Sequence, residues 1–269
     1  MGPLTKMRDV ELMIAIFFIL VISITGWKLK SLTLGGAMGA IVVGLSIYVG
    51  YSFQGLLLLG GFFGSSSLLS KVQSAKKSNL LDLLEKGDRR DMIQVMANGG
   101  VPAILSIFAA INGISDQALL VVFCISIAAA NADTWASEIG TLSKQKPRLL
   151  LTLKKVERGT SGAVSSLGTC AAIAGAAFIS LAASFLFSLS LTELLYILAF
   201  GFIGNLIDTL LGQTIQNKYK CSNCGKVTEK QVHCSKRSKK HAKYSFLNND
   251  AVNFFSIAIS TILGWIILS

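Results

Sequence analysis

The stretch ALLVVFCISIAAANADTWASEIG, residues 118–140, decides the fold class of this chain. Its first part is apolar enough for a membrane helix, and its second part carries Asp133 and Glu138. A carboxylate at the centre of a membrane helix costs roughly 2.5–3.5 kcal/mol on insertion scales. These two acids therefore lie at the water boundary, or a metal or a basic substrate compensates for their charge.

The composition of the whole chain is that of a membrane protein. Of its 269 residues, 52% are hydrophobic and only 14% are charged, whereas soluble domains carry about 25% charged residues. Eight apolar segments approach the roughly 20 residues that cross a bilayer. They cover approximately residues 11–27, 32–50, 53–70, 92–111, 116–136, 161–186, 191–214 and 251–268. We predict an all-α, polytopic membrane protein with seven to eight transmembrane helices, forming a single helical domain over residues 1–269.

The 25 Lys and Arg residues alternate along the chain. Six lie between the third and fourth segments, six between the fifth and sixth, and nine between the seventh and eighth, whereas the intervening loops have none. The positive-inside rule places the basic loops in the cytoplasm and the C-terminus outside, with the plasma membrane as the expected location. Strict alternation also places the N-terminus outside, against Lys6 and Arg8, unless the first segment is interfacial or re-entrant. Topology explains most of the net charge of +11, and without a nucleic-acid motif we expect no nucleic-acid partner.

Polar residues collect where six of the segments meet the cytoplasmic face. This pattern predicts a polar cavity that opens to the cytoplasm. Hard oxygen ligands from several helices suit Mg²⁺ that is bound together with substrate phosphates. The predicted magnesium ligands are Asp133, Glu138, Asp208 and Asp250. The alternative is that each acid caps a helix or pairs with a lysine at the interface.

The segment KPRLLLTLKKVERGTSG, residues 146–162, faces the same compartment. Thr160 or Ser161 can cap the sixth helix, and the free N–H groups at a helix start attract anions. Three basic residues add positive charge: Lys154, Lys155 and Arg158. The segment suits a phosphate group, although it is not a Walker loop because GxxxxGK[ST] is absent. A simple helix cap with topology-determining lysines is the alternative.

A cysteine-containing insert over residues 217–246 is the one clear soluble part of the chain. The CxxC spacing of Cys221 and Cys224, followed by His233 and Cys234, predicts one tetrahedral structural zinc ion in a cytoplasmic knuckle. His241 is a further candidate ligand. The alternative is a reduced thiol pair.

Six motifs, in this order, resemble the integral-membrane family catalogued as domain of unknown function 92. They are FFGSSSLLSK, GDRRDMIQVMANGG, ANADTWASEIG, PRLLLTLKKVERGTSG, the CxxC loop and LNNDAVNF, and they span roughly residues 30–260. The family includes transmembrane protein 19 and the plant phytyl-phosphate kinase. Its members often separate His and Cys by one residue, whereas His233 and Cys234 adjoin here. More distantly, Asp133 followed by the KxxxG[TS] turn that begins at Lys155 is similar to phytol and dolichol kinases, which use CTP and a divalent metal.

The resemblance implies a membrane kinase. Its partners would be a nucleoside triphosphate, with CTP expected, and a prenyl monophosphate such as phytyl phosphate, which is converted to the diphosphate. The implied catalytic residues are Lys154, Lys155, Arg158 and Asn98. The residues expected to bind the nucleotide or phosphate are Lys71, Arg89, Arg90, Gly159, Thr160, Ser161, Gly162, Asn205, Asn249 and Asn253. Two alternatives remain open: a transporter or lipid-moving protein, and a cytidylyltransferase that acts on a phospholipid.

Overall fold

The computed structural model of the protein describes residues 3–74, 89–113, 116–157, 160–241 and 245–268, with side chains only from residue 10 to residue 72 in the first range. In this part of the chain seven helices are long and apolar enough to cross a membrane. They are α1 Pro3–Lys28, α2 Leu34–Ser74, α3 Met92–Asn112, α4 Gln117–Gly140, α5 Ser166–Phe187, α6 Leu191–Thr214 and α7 Asn249–Leu268. The predicted helical membrane fold is confirmed. Helix α1 is continuous, which leaves no re-entrant break in the first segment.

Helix α2 supplies two crossings. As a straight helix its 41 residues would extend about 62 Å, twice the roughly 30 Å of a hydrocarbon core. The backbone leaves helical geometry at Tyr51 (φ −129°, ψ 19°) and Ser52 (φ 49°, ψ −147°). A β-carbon on Gly55 would lie 2.8 Å from Ile47 Cγ2, which residues eight apart achieve only where the chain reverses. We call the two halves α2a (residues 34–50) and α2b (residues 53–74); with them the chain has the eight predicted segments.

The basic loops lie together at one end of the bundle. Leu32, before α2a, pairs with Arg90, before α3, and Gln216, after α6, pairs with Leu247, before α7. The Tyr51 turn lies at the opposite end, against the last turn of α5. We call the end with the basic loops the inner end, and the predicted site residues that the structure describes belong to its half of the molecule.

Helix α4 is the buried centre of the bundle. Every residue from Val121 to Ala132 is buried, and α2, α3, α5, α6 and α7 all pack against this helix. A helix that is apolar on every side is expected to be buried among other helices in this way. Small residues allow close approach in lipid: a β-carbon on Gly204 of α6 would lie 2.5 Å from Ala129 Cβ. This contact brings the polar inner ends of α4 and α6 together.

Side-chain caps determine where α3 and α5 begin. Asp91 caps α3 in a capping box, and Ser165 caps α5. The expectation that Thr160 or Ser161 caps this helix is wrong, because the chain first turns and then forms the strand Ala163–Val164 before the helix starts. Residues of the GTSG segment therefore lie beside α5 and do not form its N-terminus.

Short strands complete the inner end. Strand β1 (Arg148–Leu149) pairs with β2 (Ala163–Val164). The cysteine insert contains β3 to β7, of which β4, β3 and β7 form one antiparallel sheet and β5 and β6 form a hairpin. Their bounds are Tyr219–Lys220, Val227–Thr228, Val232–His233, Lys236–Arg237 and Lys239–Lys240.

Candidate functional site

Asp133 of α4 and Asp208 of α6 lie within electrostatic range of each other near the inner ends of their helices. Asp133 accepts a hydrogen bond from Asn205 Nδ2 at 3.1 Å, and Asp208 accepts one from Ser256 Oγ at 3.2 Å. With its amide oriented to donate, Asn253 lies 3.0 Å from Asp208 Oδ2. Helices α4, α6 and α7 thus converge at these five side chains, which we call the acid pocket.

The acid pocket has no basic partner in the described ranges. Among the residues that the structure describes, no Lys or Arg forms an ion pair with Asp133 or Asp208. Both carboxylates are partly buried, and like charges held close together in such a site are unfavourable without a counterion. Mg²⁺ is usually bound by one or two carboxylates, with substrate phosphates and water as further ligands. The ligand set of the acid pocket therefore suits a magnesium ion.

The other two predicted magnesium ligands lie apart from this pair. Glu138 is five residues beyond Asp133, which turns its side chain to a different face of α4. There it accepts a hydrogen bond from Ser70 Oγ of α2b at 2.9 Å. Asp250 is buried in the first turn of α7. Within the described ranges, the structure brings no third carboxylate within reach of an ion shared with Asp133 and Asp208.

The GTSG segment packs against the end of α6. Gly162 has a φ of 75°, and a β-carbon there would overlap the backbone of Gln213, so a larger residue does not fit. Ser161 Oγ donates a hydrogen bond to Gln216 Oε1. Gln216 Nε2 donates in turn to Asn249 Oδ1 at 3.2 Å. The structure thus unites three predicted phosphate-binding residues over α6 and α7, the helices that carry most of the acid pocket.

We call Ser161, Gly162, Gln213, Gln216 and Asn249 the loop cluster; Lys218 also belongs to it and was not among the residues predicted from the sequence. Its side chain is buried, and Nζ donates hydrogen bonds to Ser161 O at 2.9 Å and to Gln213 O at 3.4 Å. Burial lowers the pKa of Lys218, and the Glu229 carboxylate opposes this shift. In the sequence Lys218 is one of nine basic residues in a single loop, and no spacing signal distinguishes it from the others.

The remaining predicted phosphate ligands are more peripheral. Lys154, Lys155 and Lys71 are exposed, and in the described part of the chain none of them forms an ion pair with the acid pocket. The exposed Arg89 donates a hydrogen bond from Nη2 to Leu32 O at 3.2 Å. Thr160 Oγ1 donates one to Glu157 O at 2.7 Å. Two predicted residues, Arg158 and Gly159, lie outside the described residues.

Arg90 is held between α2b and α3. Its backbone N–H donates to Ser31 O at 3.0 Å, and its Nη1 donates to Ser67 Oγ at 3.2 Å. The guanidinium carbon lies 5.9 Å from the centre of the Phe63 ring. Burial lowers the pKa of Arg90, and the Glu138 carboxylate opposes this shift. These contacts fix one partly buried cation at the inner end.

An apolar slot extends from Arg90 between α1, α2a, α2b and α3. Its polar end consists of Arg90, Gln94 and Asn98, and Asn98 Nδ2 donates a hydrogen bond to Gln94 O at 3.0 Å. Its apolar walls include Ile19, Ile22, Val43, Leu56, Leu59 and Phe62. The slot therefore combines an apolar lining with one cation and two amide side chains.

A polar network connects α2b to α4. Ser65 Oγ and Ser66 Oγ of α2b donate to Asn131 Oδ1 at 3.3 and 3.5 Å, and Trp135 Nε1 donates to Ser65 Oγ at 3.2 Å. Asn131 is fully buried and stands two residues before Asp133. The network keeps α2b, which contacts Arg90 through Ser67, against α4, the helix that carries Asp133.

The insert brings together the four side chains that the sequence predicts as zinc ligands. One ligand atom from each of Cys221, Cys224, His233 and Cys234 lies within 4.8 Å of all the others. His233 Nδ1 is 3.5 Å from Cys224 Sγ and 3.2 Å from Cys234 Sγ. A hydrogen bond from the backbone N–H of Cys224 and one from the His233 ring lower the pKa of Cys221 to about 6. His241 is not part of this group.

Comparison with known proteins places this architecture in a family. The sequence profile of the family described as "Integral membrane protein DUF92" matches residues 17–261. The chain is 34% identical to Protein PGR of Arabidopsis thaliana, over 94% of each chain. It is 32% identical to the uncharacterized membrane protein MJ0933 of Methanocaldococcus jannaschii, over 96% of this chain and 94% of that one.

A more distant relative is Protein VTE6, chloroplastic, of Arabidopsis thaliana. It is 27% identical over 87% of this chain and 64% of its own length. No solved structure matches the chain. The match to the family profile covers most of the eight-segment bundle and all of the acid pocket. This chain therefore belongs to the DUF92 family of integral membrane proteins.

Proposed function

We propose that the chain is a membrane phosphotransferase that passes the terminal phosphoryl group of a nucleoside triphosphate to an isoprenoid monophosphate. One observation carries this proposal: an acid pair, without a basic partner among the described residues, occurs at the same inner end as an apolar slot whose lining includes the cation Arg90. CTP as the donor follows from the resemblance to phytol and dolichol kinases, and phytyl phosphate as an acceptor follows from the resemblance to the family that includes the plant phytyl-phosphate kinase. We assign the site to the cytoplasmic face of the plasma membrane because the basic loops surround it.

In this proposal Asp133 and Asp208 bind a magnesium ion. Asn205 and Ser256 hold the two carboxylates in place through the hydrogen bonds described above, and Asn253 adds an amide group. When bound, the ion supplies positive charge that offsets the negative charge of the triphosphate. Glu138 has a different role, since it faces α2b and balances the charge of Arg90.

The acceptor lies with its isoprenoid chain in the slot and its phosphate at Arg90, Gln94 and Asn98. An oxygen of this phosphate attacks the γ-phosphorus of the donor, a new P–O bond forms, and the bond from that phosphorus to the β–γ bridging oxygen breaks. The nucleoside diphosphate leaves with the electron pair. A monophosphate is already anionic at neutral pH, so no general base is required. Catalysis then depends on positioning and electrostatics.

The donor phosphates lie over the loop cluster. Ser161 and Gly162 form the turn against α6, and Lys218 Nζ donates a hydrogen bond to the carbonyl of this turn. Lys154 and Lys155 are exposed in the same loop. Backbone N–H groups and mobile lysine side chains are common ligands of phosphates. This arrangement places the donor between the loop cluster and the acid pocket.

Radiolabelled nucleotide tests the proposal. The purified protein in lipid nanodiscs is given γ-labelled CTP and geranylgeranyl or phytyl monophosphate, and labelled isoprenoid diphosphate is the expected product. Asp133→Asn should reduce turnover by about a hundredfold or more, because it removes a charge that the metal requires. Glu157→Gln, at an exposed carboxylate in the neighbouring loop, is the matched control.

Three results would contradict the proposal. Full turnover by Asp133→Asn would refute the magnesium assignment. Release of pyrophosphate in place of CDP would identify a cytidylyltransferase. Movement of a lipid across sealed vesicles without nucleotide would favour a transporter.

A further inference from the structure

The cysteine insert lacks an apolar core. Its five strands have two residues each, and between Tyr219 and Lys240 only Cys221 and Thr228 are buried. A unit this small cannot bury enough apolar surface to hold one conformation without a disulfide, a metal or another cross-link. The insert nevertheless contacts the loop cluster, because Glu229 accepts a hydrogen bond from Gln216 Nε2.

We propose that Cys221, Cys224, His233 and Cys234 bind one zinc ion, and that this ion keeps Lys218 and Glu229 in position at the loop cluster. The site and its test are independent of the reaction proposed above.

The four ligands fit zinc in kind and in spacing. Three thiolates and one imidazole are a common structural zinc set. Bonds of about 2.0–2.3 Å to a tetrahedral ion place ligand atoms roughly 3.5–3.8 Å apart, and here all pairs lie within 4.8 Å. The backbone N–H of Asn223 donates to Cys221 Sγ at 3.4 Å, a type of contact that orients a metal-binding sulfur.

The backbone explains how two adjacent residues serve one ion. Cys234 and Ser235 both have positive φ, 52° and 57°, so the chain bends sharply after His233. The bend lets the side chains of His233 and Cys234 approach the same point, although neighbours in a strand point to opposite sides. Gly225, with φ 73°, closes the turn after Cys224.

The zinc site is linked to the loop cluster through β3 and β4. Lys218 directly precedes β3, and Cys221 directly follows it. Glu229 directly follows β4, which pairs with β3, and it accepts a hydrogen bond from Gln216 Nε2 at 2.9 Å. An ion bound at the turn that connects β3 and β4 therefore restrains both charged residues through these paired strands. Without it, the hydrogen bond of Lys218 to the Ser161 carbonyl should loosen.

The metal content of the purified protein tests whether these four side chains bind zinc. Protein purified without chelators should contain about one zinc per chain by elemental analysis, and the Cys224→Ser variant should contain at least tenfold less. Cys170→Ser, a cysteine on α5 outside the cluster, is the matched control and should keep its zinc. Stoichiometric iron in place of zinc, a Cys221–Cys224 disulfide in fresh protein, or no uptake of added zinc would overturn the assignment.

Hydrogen exchange of the unsubstituted protein tests whether the ion restrains the loop cluster. This measurement needs no variant that could fail to fold. Removal of zinc by a chelator should accelerate exchange in the insert and also at Ser161–Ala163 and Gln213–Lys218, and added zinc should restore protection. Faster exchange confined to Tyr219–Lys240 would show that the ion does not restrain the loop cluster. No change in the insert would refute the structural role altogether.

Discussion

Replacing Gly60 by leucine should change which isoprenoid chain lengths the protein accepts. Gly60 lies on α2b in the wall of the slot, and a β-carbon added there would meet no atom within 4 Å. The new side chain can therefore enter the slot without displacing a neighbouring helix. Gly64, one turn further along, has equally open surroundings but is exposed and is not a slot residue. Gly64→Leu is thus the matched control.

The size of the effect follows from packing. A leucine side chain is nearly as large as one isoprene unit, so a long acceptor must shorten its path or shift its phosphate away from Arg90. Forcing extra methylenes into a filled site costs about 1–3 kcal/mol, which corresponds to a roughly 5- to 150-fold loss in kcat/KM. Because lipid is as apolar as the slot, steric exclusion and not lost hydrophobic burial causes this loss. Short acceptors, which leave the far end of the slot empty, should be unaffected.

Two measurements check this prediction. The first compares kcat/KM for geranyl, farnesyl and geranylgeranyl monophosphate in the unsubstituted protein, Gly60→Leu and Gly64→Leu. The second measures the rise in thermal stability that each monophosphate produces without nucleotide, so that binding is tested even if no phosphoryl transfer occurs. The longest chain should lose the most in both assays.

The outcome separates the slot from the reaction. An equal loss for all three chain lengths, or an equal effect of Gly64→Leu, would refute the slot as the site of the isoprenoid chain. Normal length selection in the binding assay without any transfer would leave the slot intact and refute the kinase.

Two further predictions concern the core and the loop cluster. Gly204→Ala should lower the free energy of unfolding by about 1–3 kcal/mol, because the new β-carbon would lie 2.5 Å from a β-carbon of α4. Gly64→Ala should have little effect, and equal thermal stability of the two variants would contradict the close packing. Lys218→Met should raise the KM for nucleotide by roughly tenfold or more, because it removes a charged hydrogen bond to the Ser161 carbonyl. Lys220→Met, at an exposed neighbour, should leave this KM unchanged. An unchanged KM in Lys218→Met would exclude Lys218 from the donor site.

Local sequence properties were sufficient for the membrane architecture. A backbone in lipid must satisfy its own hydrogen bonds, so long apolar runs become helices whatever their surroundings. The reversal at Tyr51 was predictable because a 41-residue apolar helix is too long for one crossing. The side-chain set at the zinc site was also predictable, since its ligands lie within fourteen residues of one another in the chain.

The start of α5 shows where local signals fail. Thr160, Ser161 and Ser165 are all capable caps in the sequence. The choice of Ser165 depends on the pairing of β2 with β1 and on the packing of Gly162 against α6. Both contacts involve residues far away in the chain.

The sequence by itself determined that carboxylates, amides and hydroxyls collect at one end of the helices. Only the tertiary structure decided that Asp133 meets Asp208 while Glu138 turns towards α2b, and that Lys218 enters the loop cluster. The physical reason is rotational. Close contacts of Gly201 and Gly204 with Ala128 and Ala129 set how α6 is rotated against α4, and the sequence of one helix does not specify which face of its partner it will meet.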